Sequence, residues 1–117
     1  MATAFMLAHP YGIPRVMCSF AFETREQDPS QTDDGVLISS EIDDNGTCNN
    51  GYLCEHRWRQ IFSMVEFRNV VEGTKVKNWW SNNDQQIAFS RSMGFVSFTS
   101  WGDLNENLYT NLPWNLL

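Results

Sequence analysis

The sequence predicts an α/β fold: the last strand and helix of a (β/α)8 barrel, followed by the start of an antiparallel β domain. Three observations carry that expectation. Residues 54–73 hold one amphipathic helical pattern with a wide apolar face and a marked stop. A short apolar run at residues 13–20 precedes it, beginning at a proline. After it come three short β-type runs, the last two close enough to be a hairpin. Helix, strand, long loop, helix, then antiparallel strands is the order of a final βα unit leading into a separate β domain.

Each element has its own signal. Residues 1–9 read as the end of a helix, stopped by Pro10 and Gly12. Residues 13–20, IPRVMCSF, read as a short buried strand. Residues 21–53 show turn signals and little periodicity, and a structureless loop of that length in a compact domain is either functional or a warning about the assignment. In the helical stretch Trp58, Ile61, Phe62 and Val65 follow i, i+3, i+4, i+7, with Met64, Phe67 and Val71 widening the stripe. Arg57, Arg59, Glu66 and Arg68 take most of the other face, and Gly73 ends the pattern. So wide an apolar face needs a sheet or other helices to cover it, and nothing else in the chain is large enough to do so well. The β-type runs are Lys75–Trp80, Gln86–Ser90 and Gly94–Thr99.

Composition narrows the function classes. A net charge of −6 argues against a nucleic-acid partner. The charge is uneven, since residues 23–44 hold eight acidic residues and only Arg25. A solvated loop explains them better than a cation site. The calcium-loop pattern fails there, because Gly46 at its sixth position puts Tyr52 where a bidentate Glu should stand. No apolar run is long enough to span a membrane. The start MATAFMLAHPYG lacks the basic region of a signal peptide. Cys48 and Cys54 flank CNNGYLC, whose spacing matches no zinc or redox motif. A local disulfide between them would stabilise by about 2 kcal/mol and pin the entry to the helix, implying an oxidising compartment. The sequon Asn45-Gly46-Thr47 fits secretion as well. Cys18 is left over and reads as a buried small apolar residue rather than a nucleophile.

Longer strings add a resemblance. HPYGIPRVM, CEHRWRQI and MVEFRNVV, together with Asn78-Trp79-Trp80 and Gln86-Ile87-Ala88-Phe89, resemble the animal α-amylases, with the insect forms nearest. The similarity runs from about residue 1 to 113 and is weakest in the loop. It implies that residues 1–73 are the C-terminal part of a catalytic (β/α)8 barrel and that 74–117 begin a C-terminal β domain, cut short. It further implies a secreted, monomeric enzyme acting on starch and glycogen by retaining hydrolysis of internal α-1,4-glucosidic bonds. Such hydrolysis uses a nucleophilic carboxylate, an acid/base carboxylate and a third that orients the sugar. Calcium and chloride are the family's cofactors. The catalytic acids and the calcium ligands are expected before Met1, so the 117 residues alone should be inactive. One ligand carries over: Arg15 of HPYGIPRVM matches a chloride ligand. A chloride held there would raise the pKa of a neighbouring general acid. Cys48–Cys54 likewise matches a family disulfide.

Other candidates carry less. His9 and His56 are each expected to make a structural hydrogen bond. Glu55 and Glu66 are expected to serve solubility and ion pairing with nearby arginines. Trp79 and Trp80 could stack on a sugar, but core packing of at least one is the commoner outcome. Two departures stand out: Cys18 replaces a small hydroxyl residue, and after Asn111-Leu112-Pro113 the chain ends in Trp114-Asn115-Leu116-Leu117 where the family continues. The competing reading is a truncated, non-catalytic carbohydrate-binding or interaction module using the β strands and tryptophans.

Overall fold

The structure is a computed structural model, and it describes residues 1–103 and Leu108. The chain divides into two compact units, one of Met1–Pro14 with the chain from Ser63 onward, the other of Arg15–Phe62.

The first unit holds helix α1 (Ala2–Ala8), most of helix α2 (Arg59–Val70) and three strands, β1 (Val76–Ser81), β2 (Gln86–Arg91) and β3 (Gly94–Thr99). The strands form one antiparallel meander in the order β1-β2-β3. The β-type runs are therefore where the sequence puts them, to within a residue. The β2–β3 turn is the two-residue Ser92-Met93 loop, with Arg91 paired to Gly94 and Ser92 at φ +50°. Between β1 and β2 the register slips at Asn78-Trp79, where β1 carries one extra residue. Asn78 adopts φ +50° at this bulge, and its side-chain amide donates to Ser90 Oγ at 2.7 Å.

The core lies over β2. Ala8 and Phe89 are fully buried beside Val96, with Phe5, Met64, Phe67, Val76 and Phe98 packed around them. Phe89 stacks on Trp79 (5.7 Å between centroids) and meets Phe5 edge-on at 6.0 Å. Burying a phenylalanine so fully contributes about 2–3 kcal/mol. The contact of β3 with α2 is closer than any side chain allows. A Cβ on Gly94 would overlap the Phe67 ring and lie 3.0 Å from Val71 Cγ1.

Helix α2 departs from the expected face. Ile61 and Val71 are buried, and Met64 and Phe67 reach the core. Trp58, Phe62 and Val65, three of the four residues of the primary stripe, are 40–51% exposed. The periodicity is right, but only one flank of the apolar face finds a cover. The helix stops as expected: Gly73 takes φ +73°, and the Thr74 hydroxyl donates to Val71 O at 2.6 Å.

The second unit has a 3-10 turn at Glu55–Arg57, and α2 begins within it. Its long acidic segment is built from two turns of one kind. Gly35 N–H donates to Thr32 O and Thr32 N–H to Val36 O, both at 2.9 Å. Gly46 N–H donates to Asp43 O at 2.8 Å and Asp43 N–H to Thr47 O at 2.9 Å. In each, an Asp-rich tip leads to a glycine with positive φ, +76° at Gly35 and +82° at Gly46, the three-residue loop that ends in a left-handed residue. The Asn45 sequon sits on the exposed second tip, where Asn45 Oδ1 accepts the Thr47 N–H.

Residues 13–20 do not form the expected strand. Only Phe20 makes a β bridge, to Tyr52, and Ile13 and Met17 are 92% and 80% exposed. A barrel strand draws its hydrogen bonds from parallel neighbours on both edges, and no described strand lies beside this run. Among the described residues, no helix is long and apolar enough to cross a membrane.

Candidate functional site

The polar chemistry of the second unit converges on the entry to its 3-10 turn. Cys48 and Cys54 form a disulfide across a Cα–Cα separation of 6.0 Å. Cys54 is 2% exposed and adopts a left-handed conformation (φ +48°), so the chain reverses direction at the bridge. Leu53 N–H donates to Ser19 O and Ala21 N–H to Gly51 O, which brings residues 18–21 alongside. Cys18, expected to be a buried inert residue, is half-buried instead. Its Sγ lies 3.4 Å from Cys54 Sγ and accepts the Cys54 N–H at 3.2 Å.

Glu55 has a different partner from the expected arginine. Its carboxylate accepts the Ser19 N–H at 2.8 Å and the Ser19 hydroxyl. The Ser19 hydroxyl, then the Ser19 N–H, hold the Glu55 pKa below its ordinary value, against a smaller opposing effect of burial. A carboxylate held ionised is a poor proton donor near neutral pH. Glu55 is a latch between residue 19 and the 3-10 turn.

Cys18 Sγ, Cys54 Sγ and a His56 nitrogen lie within 4.8 Å of one another. The Cys54 sulfur is already spent in the disulfide, leaving one thiol and one imidazole, too few for a structural zinc site. These soft donors are also wrong for calcium, which takes oxygen ligands.

The remaining candidates are dispersed. Arg15 is exposed and forms no hydrogen bond or ion pair with any described residue. His9 accepts the Tyr11 N–H at Nδ1 (3.3 Å) and stacks on Phe5, the structural role expected of it. His56 and Glu66 are exposed. Trp79 covers Phe89 yet remains 53% exposed, while Trp80 is half-buried.

Two residues that sequence reasoning passed over organise the first unit. Arg68 donates to Leu7 O (3.0 Å), His9 O (2.7 Å) and Gly12 O (2.6 Å), gathering the free carbonyls where α1 ends. Arg91, 2% exposed, donates to Ala8 O at 2.8 Å and to Val71 O and Thr74 O at 3.1–3.2 Å. Burial, and then the charge of Arg68, lower the Arg91 pKa. Both guanidiniums flank a cleft of about 480 Å³ that also reaches Pro10, Glu72 and Lys75. Arg68 was legible only as a polar-face residue, and Arg91 only as part of the connection between the two hairpin strands. Their partners are backbone oxygens, which leave no trace in a sequence.

Comparison with known proteins assigns the family. The α-amylase of Tenebrio molitor is 65% identical over 114 residues, and that of Tribolium castaneum 63% over 114. In both cases the match takes in 97% of this chain. The chain belongs to the α-amylase family. It spans about a quarter of the length of these relatives, 24% and 23%. The crystal structure of wild-type α-amylase I from Eisenia fetida matches 96% of the chain and 24% of its own, with a TM-score of 0.74 and 35% identity. A mutant of that α-amylase, in complex with maltohexaose, matches with a TM-score of 0.65 and 38% identity. No family model matches the chain. In α-amylase terms, the three-stranded antiparallel sheet is consistent with the C-terminal part of the enzyme.

Proposed function

We propose that these residues are the C-terminal portion of a secreted, monomeric α-amylase that cleaves internal α-1,4-glucosidic bonds of starch and glycogen with retention. The observation that carries this reading is the 65% identity to a beetle α-amylase along 97% of the chain. Residues 1–73 complete the catalytic (β/α)8 barrel in the whole enzyme, and 74–117 open its C-terminal β domain. Residues 13–20 become a barrel strand once parallel neighbours supply hydrogen-bond partners on both edges. The exposed flank of α2 (Trp58, Phe62, Val65) packs against the rest of the barrel. The nucleophile, the acid/base and the calcium ligands come from other parts of the enzyme.

Arg15 is the chloride ligand in this reading. Its guanidinium, free of protein partners among the described residues, is a donor set suited to an anion. The bound anion supplies negative charge that keeps a nearby general acid protonated near neutral pH. The residues themselves only bind and position it.

The test is a parallel assay of starch hydrolysis by the full-length parent enzyme and by the 117-residue chain. Hydrolysis by the parent alone is expected. Hydrolysis by the short chain would overturn the reading. A non-catalytic glucan-binding module is favoured by one observation, the half-exposed Trp79 ring on its Phe89 support. Retention of the short chain on insoluble starch, abolished by Trp79→Ala, would establish that role.

A further inference from the structure

The second unit holds three sulfurs at one point, and only two of them can be bonded at a time. Cys18 Sγ is 3.4 Å from Cys54 Sγ, which is itself bonded to Cys48. The approach is held from several sides. Glu55, next to Cys54, accepts two hydrogen bonds from Ser19, next to Cys18. Leu53 N–H donates to Ser19 O at 2.8 Å, and Phe20 bridges to Tyr52. The Cys54 N–H points at Cys18 Sγ at 3.2 Å and holds that sulfur beside the disulfide, within reach of the attack by which a thiolate exchanges with a disulfide.

We propose that this cluster is a thiol–disulfide exchange centre, in which Cys18 displaces Cys48 from Cys54 and the free thiol moves from Cys18 to Cys48. The step needs no external oxidant or reductant. Cys18 gives its proton to the imidazole of His56 or to water. Its thiolate forms a bond to Cys54 Sγ while the Cys48–Cys54 bond breaks. Cys48 leaves as a thiolate and takes up a proton. One disulfide and one thiol are present before and after, so the electrons balance. The two isomers differ in what they tie together. Cys48–Cys54 closes a local loop of sequence separation 6, whereas Cys18–Cys54 spans 36 residues and encloses the whole acidic segment. By loop entropy the second constrains the unfolded chain more strongly. Exchange also changes which thiol is offered to solvent, from residue 18 to the half-buried Cys48 beside the second Asp-rich turn.

The experiment maps the free thiol in the full 117-residue chain. The oxidised protein is incubated without added thiol or oxidant, quenched with acid, and then unfolded in N-ethylmaleimide. After reduction and a second alkylating reagent, digestion with trypsin and chymotrypsin separates Cys48 from Cys54 and allows all three to be read by mass spectrometry. The first label is expected on Cys18 and on Cys48, with Cys54 free of it. Label confined to Cys18 would overturn the proposal. So would label spread over all three, the result of scrambling in an unfolded chain. A Cys48→Ser variant is a second test. It is expected to lose both remaining thiols on exposure to air as Cys18–Cys54 forms, and persistence of two free thiols would count against the centre.

Discussion

At the scale of single residues, the structure depends on groups whose partners are fixed and close. Glu55 is one. Its folded pKa lies below the unfolded value of 4.5 because Ser19 bonds favour the charged form. The stability it contributes is therefore complete above about 4.5 and is lost as pH falls through the folded value. Ser19→Ala should destabilise the chain near neutral pH and converge with the wild type in acid, as read by urea unfolding across a pH series. Gly94 is another. Gly94→Ala must push Phe67 and Val71 aside, a loss of about 1–3 kcal/mol in the same measurement. Arg91→Met strands the carbonyls of Ala8, Val71 and Thr74, for which we expect a loss of about 3 kcal/mol. None of these three roles was readable in advance. Ser19 and Glu55 are 36 residues apart, and Gly94 shows no positive φ to mark it.

At the scale of elements, much was legible. The three strands and the stop of α2 at Gly73 follow from period-2 runs and a glycine, signals that survive in any context. The run at 13–20 was read as a strand and is not one here. Its pattern describes a site in a sheet, and no described strand lies beside this run. The helix stripe failed in part for the same reason, since amphipathic spacing says which residues need a cover but not whether the cover is present. The exposed flank makes a prediction. The isolated chain should self-associate with rising concentration in sedimentation velocity. Phe62→Glu, at a position already 51% exposed, should disperse it while changing stability by no more than about 0.5 kcal/mol.

At the scale of the whole molecule, the family was legible from continuous strings, whereas the site geometry was not. Arg15 could be named only by matching HPYGIPRVM, and the chloride role proposed for it is to be tested in the complete enzyme. There, Arg15→Gln should weaken the dependence of starch hydrolysis on added chloride, seen as a flatter rate curve across chloride concentrations. The corner built by Arg68 and Arg91 has a last consequence. Both guanidiniums spend their donors on backbone oxygens, and each repels the other's charge. Arg91 is 2% exposed, so dissolved ions hardly reach the pair. Salt leaves both the repulsion and the N–H···O=C bonds nearly as they were. Brine that loosens proteins held by surface ion pairs should leave this corner unchanged.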